Sequence, residues 1–412
     1  MELGRGPPIG GPFALTARSD RLTVRSRVRE AVDRQGCCGG TRLSEKVLAA
    51  LKVGPSTTEL RELDLPPVAD DAALMKVEVA GVCGTDVTQY RLPLRGGPLV
   101  MGHENVGYLS RVGKTFADHK GMREGDLVFL EHYLPCGHCE WDYLGEYRHC
   151  AATEWFYSAD AIRYGYTSTD IAPGLWGGFS HYLYLPLNAV LHKVPNGLTP
   201  EEAGVATPMS NGIQWALFDG GIGYGSSVLI QGPGQQGLCC LMASKQAGAD
   251  RIIVTGTSKD ARRLEVARTF GADHVIDVEK EDPLPRILEI TDGRGVDVVV
   301  DCTVGAGTAP MLLGIEATKR RGGTMVVQAE GDQEFPAFPI GRLTRKAITL
   351  KSARGHSYRA VELALKQLAS HRFPLELMMT HTFGLAEVDY AIRSVGGEGA
   401  PGAIHVSVMP WK

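Results

Sequence analysis

The rhythm of apolar and polar positions changes once along the chain, near residue 200. Before that point short apolar runs follow one another closely. "EKVLAALKV", "AALMKVEVAGVC", "LVMGHENVGYLSRVG" and "GDLVFLEHYL" carry β-branched and apolar residues bounded by Gly, Pro and Asp, the pattern of short strands. No long helical pattern separates them, so this part predicts a compact all-β unit. After residue 200 the runs are "SSVLIQG", "RIIVTG", "DHVIDV", "VDVVVDCT", "GTMVVQAE" and "AITLKSA". Several are separated by helix-like segments such as "QQGLCCLMASKQAGA" and "DARRLEVARTFGA". Strands alternating with helices predict a parallel, doubly wound sheet. The expected fold class is α/β, a β-rich unit joined to a doubly wound unit, with no internal repeat.

Residues 1–43 fall outside this pattern. They hold eight Arg, no Lys and the Gly/Pro-rich patches "GRGPPIGGP" and "GCCGG", a composition that buries little apolar surface and predicts a disordered extension. A tail, an upstream start codon and an organelle-targeting peptide are the alternatives for it. Over all 412 residues, 43% hydrophobic and 22% charged is the balance of a globular protein of two ordinary domains. A formal charge of −4 argues against a general nucleic-acid binder. No apolar run approaches the roughly 18 residues of a spanning helix, so no membrane partner is expected. Nine cysteines is an odd count, and the adjacent pairs Cys37/Cys38 and Cys239/Cys240 suit disulfides poorly. A reducing cytoplasm is the expected location.

The first strand after residue 200 runs into "GPGQQG", which sets Gly232, Gly234 and Gly237 at Gly-x-Gly-x-x-Gly spacing. Between a strand and a helix, this spacing gives a tight turn, close backbone approach to a pyrophosphate and close helix packing. A dinucleotide is the expected ligand. The acid that grips its ribose hydroxyls belongs at the end of the second strand; that position here is Gly256. Thr257, Ser258, Lys259 and Arg262 follow and could bond or pair with a 2′-phosphate, so NADP is favoured over NAD. A second constellation is "CGHCEWDYLGEYRHC", residues 136–150, where Cys136, Cys139 and Cys150 frame Asp142. From spacing alone, a metal site and a disulfide both remain open.

Taken in order, "GVCGTD" at 81–86, "GHENVG" at 102–107, the cysteine cluster, "GGFSHYLYLP" at 177–186 and "GPGQQG" resemble the zinc-dependent medium-chain alcohol dehydrogenases. The resemblance covers about residues 45–410. It implies a GroES-like catalytic domain over 44–207, completed by 345–412, with a Rossmann domain over 208–344 between. It also implies a catalytic zinc on Cys83 and His103, with Asp86 orienting the histidine and Thr85 bonding the substrate oxygen as the start of a proton relay. The family's relay histidine is replaced by Thr88, and its third metal ligand by Thr207. Either Glu104 or water completes the shell, or the metal is weakly held or lost. Cys136, Cys139, Asp142 and Cys150 would hold a second, structural zinc.

The implied activity is hydride transfer between a nicotinamide cofactor and an alcohol, aldehyde or ketone, in a homodimer or homotetramer. A zinc-independent NADPH-dependent quinone or enoyl reductase and a non-enzymatic pyridine-nucleotide-binding protein are the alternatives. The aromatic segment 154–176 is a candidate pocket lining.

Overall fold

The computed structural model describes residues 45–154, 158, 161–328, 335 and 337–412. The expected disordered extension lies outside the described residues, as do five positions of the aromatic segment 154–176.

Alternating burial builds the first part of the chain. Lys46–Gly54 pairs antiparallel with Thr57–Asp64 and with Leu99–Val100 in a three-stranded sheet. Beside it stands a sheet in the order Met379–Phe383, His405–Val408, Ala72–Val82, Glu104–Val112, Leu127–Leu130, Leu191–Lys193, with Tyr182–Pro186 also on Ala72–Val82. Ala72–Val82 is buried along nearly its whole length because sheet neighbours and core cover both faces. The apolar side chains enclosed here include Trp176, Phe179, Tyr164 and Met101.

The second part is a six-stranded parallel sheet in the order His274–Asp277, Arg251–Gly256, Ser227–Gln231, Val298–Asp301, Thr324–Val327, Thr349–Ser352. Its central strands are apolar without alternation, and all four residues of Val298–Asp301 are buried, as a parallel sheet covered on both faces requires. The helix Gln235–Gln246 enters this core directly from the glycine turn. The α/β class and both expected units are therefore present.

The expected return at residue 345 falls too early. "AITLKSA" supplies Thr349–Ser352, the last parallel strand, so the crossing comes after residue 352. Beyond it the helix Tyr358–Leu368 packs on the helix Ala206–Gly212, and the strands Met379–Phe383 and His405–Val408 join the first unit's sheet. A second apolar cluster joins Val106 and Phe129 of that sheet to Met209, Leu238 and Leu365. This shared core fixes the two units against each other around the site.

Candidate active site and metal centres

Cys83 stands in extended conformation between the strand Ala72–Val82 and the helix Gly84–Arg91. Asp86 folds back from the helix's first turn. Its Oδ2 accepts from Cys83 N at 2.9 Å, and its Oδ1 lies 3.2 Å from His103 Nδ1. One carboxylate thus caps the helix and orients the imidazole, leaving Nε2 turned toward the thiol side. Glu104 begins the neighbouring strand and pairs across to Gly81. A Cβ at position 81 would stand 2.5 Å from Glu104 Oε2, so glycine there opens the space the carboxylate fills. One ligand atom each from Cys83, His103 and Glu104 lie within 4.8 Å of one another. Thr85 Oγ1 is 3.3 Å from His103 Nε2 at the edge of this cluster. Thr88 lies one helical turn on and is exposed, while Thr207 is buried in the helix Ala206–Gly212.

Glu104 is 0% exposed, and neither of its oxygens has a hydrogen-bond partner. Burial pushes its carboxyl up to about 7 against the pull of His103. Burial, and then the charge of Glu104, also push the Cys83 thiol up. A buried carboxyl with no partner either takes up a proton or pairs with a cation. A divalent ion held among the three side chains would reverse both shifts by favouring their ionised forms. Thiolate, imidazole and carboxylate together match the donor set of zinc.

The loop Cys136–Cys150 forms a second cluster. Cys136, Cys139, Asp142 and Cys150 each offer a ligand atom within 4.8 Å of the others. Gly137, at φ +81°, turns the backbone between the first two cysteines. Asp142 Oδ2 accepts from the amides of His138 and Cys139 at 3.0 and 3.2 Å and from Cys136 Sγ at 3.0 Å. Its Oδ1 is buried without a partner, and all three cysteines are free thiols. Three thiols around such a carboxylate fit a closed, tetrahedral zinc site.

At the glycine turn Gly232 has φ +89°, a conformation open to glycine. A Cβ at Gly237 would lie 1.9 Å from Gly232 O, whereas nothing lies within 4 Å of a Cβ at Gly234. The turn is tight where helix meets strand and open at the helix N-terminus, where a pyrophosphate is held. Gly256 ends the second parallel strand as expected. The donors after it are already engaged: Thr257 Oγ1 with Asp260 at 2.9 Å, and Ser258 Oγ with Asp277 at 2.8 Å. Lys259 and Arg262 are exposed beside them.

Sequence reasoning singled out none of Glu131, His132 and His356, and held Arg163 and Tyr166 only within the aromatic segment 154–176. The His132 and Tyr166 rings lie 5.3 and 5.4 Å from that of His103. Arg163 packs over Tyr166 at 4.5 Å and approaches His132 Nε2 at 2.8 Å. Burial and that guanidinium hold His132 well below its usual pKa, so it stays neutral. Glu131 accepts from Tyr147 and from His356 Nε2, the latter at 2.9 Å, and lies 3.6 Å from His192, whose Nδ1 is 2.6 Å from Glu362. The one sequence signal for any of these was the aromatic segment 154–176, which contributes Tyr166.

Two family descriptions match the chain: "Alcohol dehydrogenase GroES-like domain" over residues 69–196 and "Zinc-binding dehydrogenase" over residues 237–370. A probable alcohol dehydrogenase of Mycobacterium tuberculosis is 35% identical over 88% of this chain and 98% of its own length. An L-threonine 3-dehydrogenase of Pyrococcus abyssi is 31% identical over 83% of this chain and 92% of its own. The solved alcohol dehydrogenase of Thermus sp. ATN1 superposes with a TM-score of 0.75 at 26% identity, covering 88% of this chain and 99% of that one. The chain belongs to the zinc-dependent medium-chain dehydrogenase/reductase family, as a zinc-dependent oxidoreductase acting on alcohols. Membership of a zinc-binding dehydrogenase family brings zinc as a cofactor, and the dehydrogenase relatives imply small-molecule substrates. The zinc-independent reductase and the non-enzymatic binding protein are not favoured. No described helix is long and apolar enough to cross a membrane.

Proposed function

We propose that Cys83, His103 and Glu104 hold the catalytic zinc of an alcohol dehydrogenase, and that Cys136, Cys139, Asp142 and Cys150 hold a structural one. The observation that carries this reading is the buried Glu104 carboxylate, unpartnered and within reach of a thiol and an imidazole. Thr207, a neutral hydroxyl, adds no charge to the shell. When bound, the metal polarises a substrate oxygen and lowers the pKa of an alcohol.

The chain's own residues do the rest. Asp86 fixes the His103 ring, and Thr85 presents a hydroxyl at the cluster's edge to take a hydrogen bond and proton from the substrate oxygen. Thr88, exposed one turn on, passes the proton outward in place of a histidine. Gly232, Gly234 and Gly237 seat the pyrophosphate. The sequence-level expectation of NADP keeps Lys259 and Arg262 as its support, since the hydroxyls of Thr257 and Ser258 face carboxylates.

Two further readings concern the whole protein. The strand Thr349–Ser352 is exposed at all four positions at the end of the parallel sheet, which supports a homodimer through that edge. Seven free cysteines among the described residues support a cytoplasmic location.

Metal analysis tests the zinc assignment. The purified protein should hold two zinc ions per chain, and Cys139→Ser should remove one of them while lowering thermal stability. A zinc-free native protein, or a Cys139→Ser variant unchanged in both respects, would overturn it.

A further inference from the structure

The metal candidates and the dinucleotide turn stand on different units, so the distance between them is fixed where the chain passes from one unit to the other. We propose that Glu131 is a positioning residue for hydride transfer: through His356 and Asn211 it holds the dinucleotide helix Gln235–Gln246 in register with the wall beside His103. The inference rests on the alcohol dehydrogenase reading and adds a residue that acts through others rather than on the reacting atoms.

On the metal side, Glu131 follows the strand Leu127–Leu130, and its amide donates to Val190 O at 3.0 Å. The next residue is His132, whose ring stands edge-on to that of His103 at 5.3 Å. One peptide bond therefore ties the place of the carboxylate to the place of that wall. The carboxylate itself is 0% exposed and faces Tyr147 of the cysteine loop, His356 of the returning segment and His192 of a neighbouring strand.

On the coenzyme side the two crossings of the chain grip each other. The first is the helix Ala206–Gly212, which runs on into a π-helical stretch, Ile213–Asp219. Such stretches are rare and collect at functional sites. The second is the returning segment at 353–357. Asn211 Oδ1 lies 2.8 Å from His356 Nδ1, Ser357 Oγ donates to Gln214 Oε1 at 2.9 Å, and Trp215 Nε1 donates to Gly355 O at 3.0 Å. Gly212 then rests on the dinucleotide helix: a Cβ there would stand 2.6 Å from Cys239 C and 2.7 Å from Cys239 O. Glu131, His356, Asn211 and Gly212 thus join the wall beside His103 to the backbone of that helix.

The apolar core shared by the two units does not fix this distance by itself. Apolar burial is non-directional, whereas a hydrogen bond sets both distance and angle, and a satisfied buried network specifies one arrangement. A carboxylate suits the junction because both of its oxygens accept, Oε1 from Tyr147 and Oε2 from His356. Glutamine at 131 keeps the shape but replaces one acceptor by a donor, which opposes either the Tyr147 hydroxyl or the His356 ring as they stand. A shift of about 1 Å between reacting groups costs up to about a hundredfold in rate.

The test compares the unaltered enzyme with Glu131→Gln and Asn211→Ala, each zinc-loaded and held well below its melting temperature. The probes are ethanol, isopropanol, benzyl alcohol and L-threonine, with saturating NAD⁺ or NADP⁺, and the fastest pair is followed through its first turnover by stopped-flow absorbance of the reduced coenzyme. A merely structural defect lowers the amplitude of that turnover, whereas a positioning defect lowers its rate at full amplitude. In both variants the rate should fall about tenfold or more, with KM and coenzyme affinity unchanged within a few fold. Amide hydrogen exchange should quicken over 206–219 and 353–357 and not in the parallel strands. Asn211→Ala leaves Glu131 and its partners in place, so it carries the test should Glu131→Gln fail to fold. A first-turnover rate equal to that of the unaltered enzyme, a loss of amplitude alone, or unchanged exchange at the crossings would overturn the inference and leave the dehydrogenase reading standing. No turnover of any of these alcohols by the unaltered enzyme would remove that reading and the inference with it.

Discussion

In the proposed catalytic site, Glu104 is the side chain on which metal affinity turns. Among the three candidate ligands it is the fully buried acid, and Gly81 opposite leaves it room. Glu104→Gln keeps the shape and removes the charge, so zinc affinity at this site should fall at least about tenfold. Thr207→Glu should move it the other way by adding a carboxylate from the helix Ala206–Gly212. Competition with a chelating dye, read as metal release, measures both. Unaltered release from Glu104→Gln would put that residue outside the metal's shell. Cys83, Asp86, His103 and Glu104 were legible in sequence because their chemistry is compressed into two short motifs. Glu131 and His356 were not. They meet across 225 residues, and a carboxylate at a strand end carries no mark of the partner it will face.

At the scale of elements, the Glu131 network is what ties the end of the strand Leu127–Leu130 to the returning segment. His356 and Glu362 flank and enter the helix Tyr358–Leu368, and His192 lies on the strand Leu191–Lys193. Burial pushes the Glu131 carboxyl up, but His356 and His192 outweigh it and bring its pKa down to about 2. Burial lowers the His192 pKa, but its carboxylate partners outweigh that effect and raise it. The signs fix a pH window. Stability from Glu131 is complete above its ordinary value of 4.5 and lost as pH falls toward about 2. Stability from His192 is complete below 6.5 and lost as pH rises through its raised pKa. Glu131→Gln should cost about 3–5 kcal/mol near neutrality by stranding buried histidines, and should flatten the acid limb of the stability profile. Urea unfolding across pH reads both effects; a variant profile parallel to the unaltered one would contradict the assignment. The elements themselves were largely visible in advance, since "VDVVVDCT" and its neighbours are too apolar for anything but a covered sheet. The domain crossing was set too early by the family resemblance, although "AITLKSA" already reads as a strand of the parallel sheet it joins.

At the scale of the whole molecule, the parallel sheet ends in an open border at Thr349–Ser352. Thr349–Ser352 has a pairing partner on one side and is exposed along its length, with Ile340 at 64% and Leu350 at 36% exposure nearby. Long-lived exposure of such an edge invites a second strand. If two copies meet there, sedimentation equilibrium should give a dimer, and Ile340→Glu combined with Leu350→Lys should give a monomer with its melting temperature lowered. A monomeric unaltered protein would contradict the pairing.

The closing strand His405–Val408 sets Val406 against Val82, next to Cys83. Trp411 then donates to Val77 O and stacks on His181, while His405 bonds Gln235 at the start of the dinucleotide helix. The sheet that presents the candidate ligand Cys83 is therefore unfinished until residues 405–411 have been synthesised. During synthesis the parallel sheet has all its strands in hand first, while the chain for the other unit waits with an unfilled slot beside Ala72–Val82. That slot is a site where another extended segment could lodge by mistake, and a chain cut before residue 405 would leave the thiol at Cys83 with no finished wall behind it.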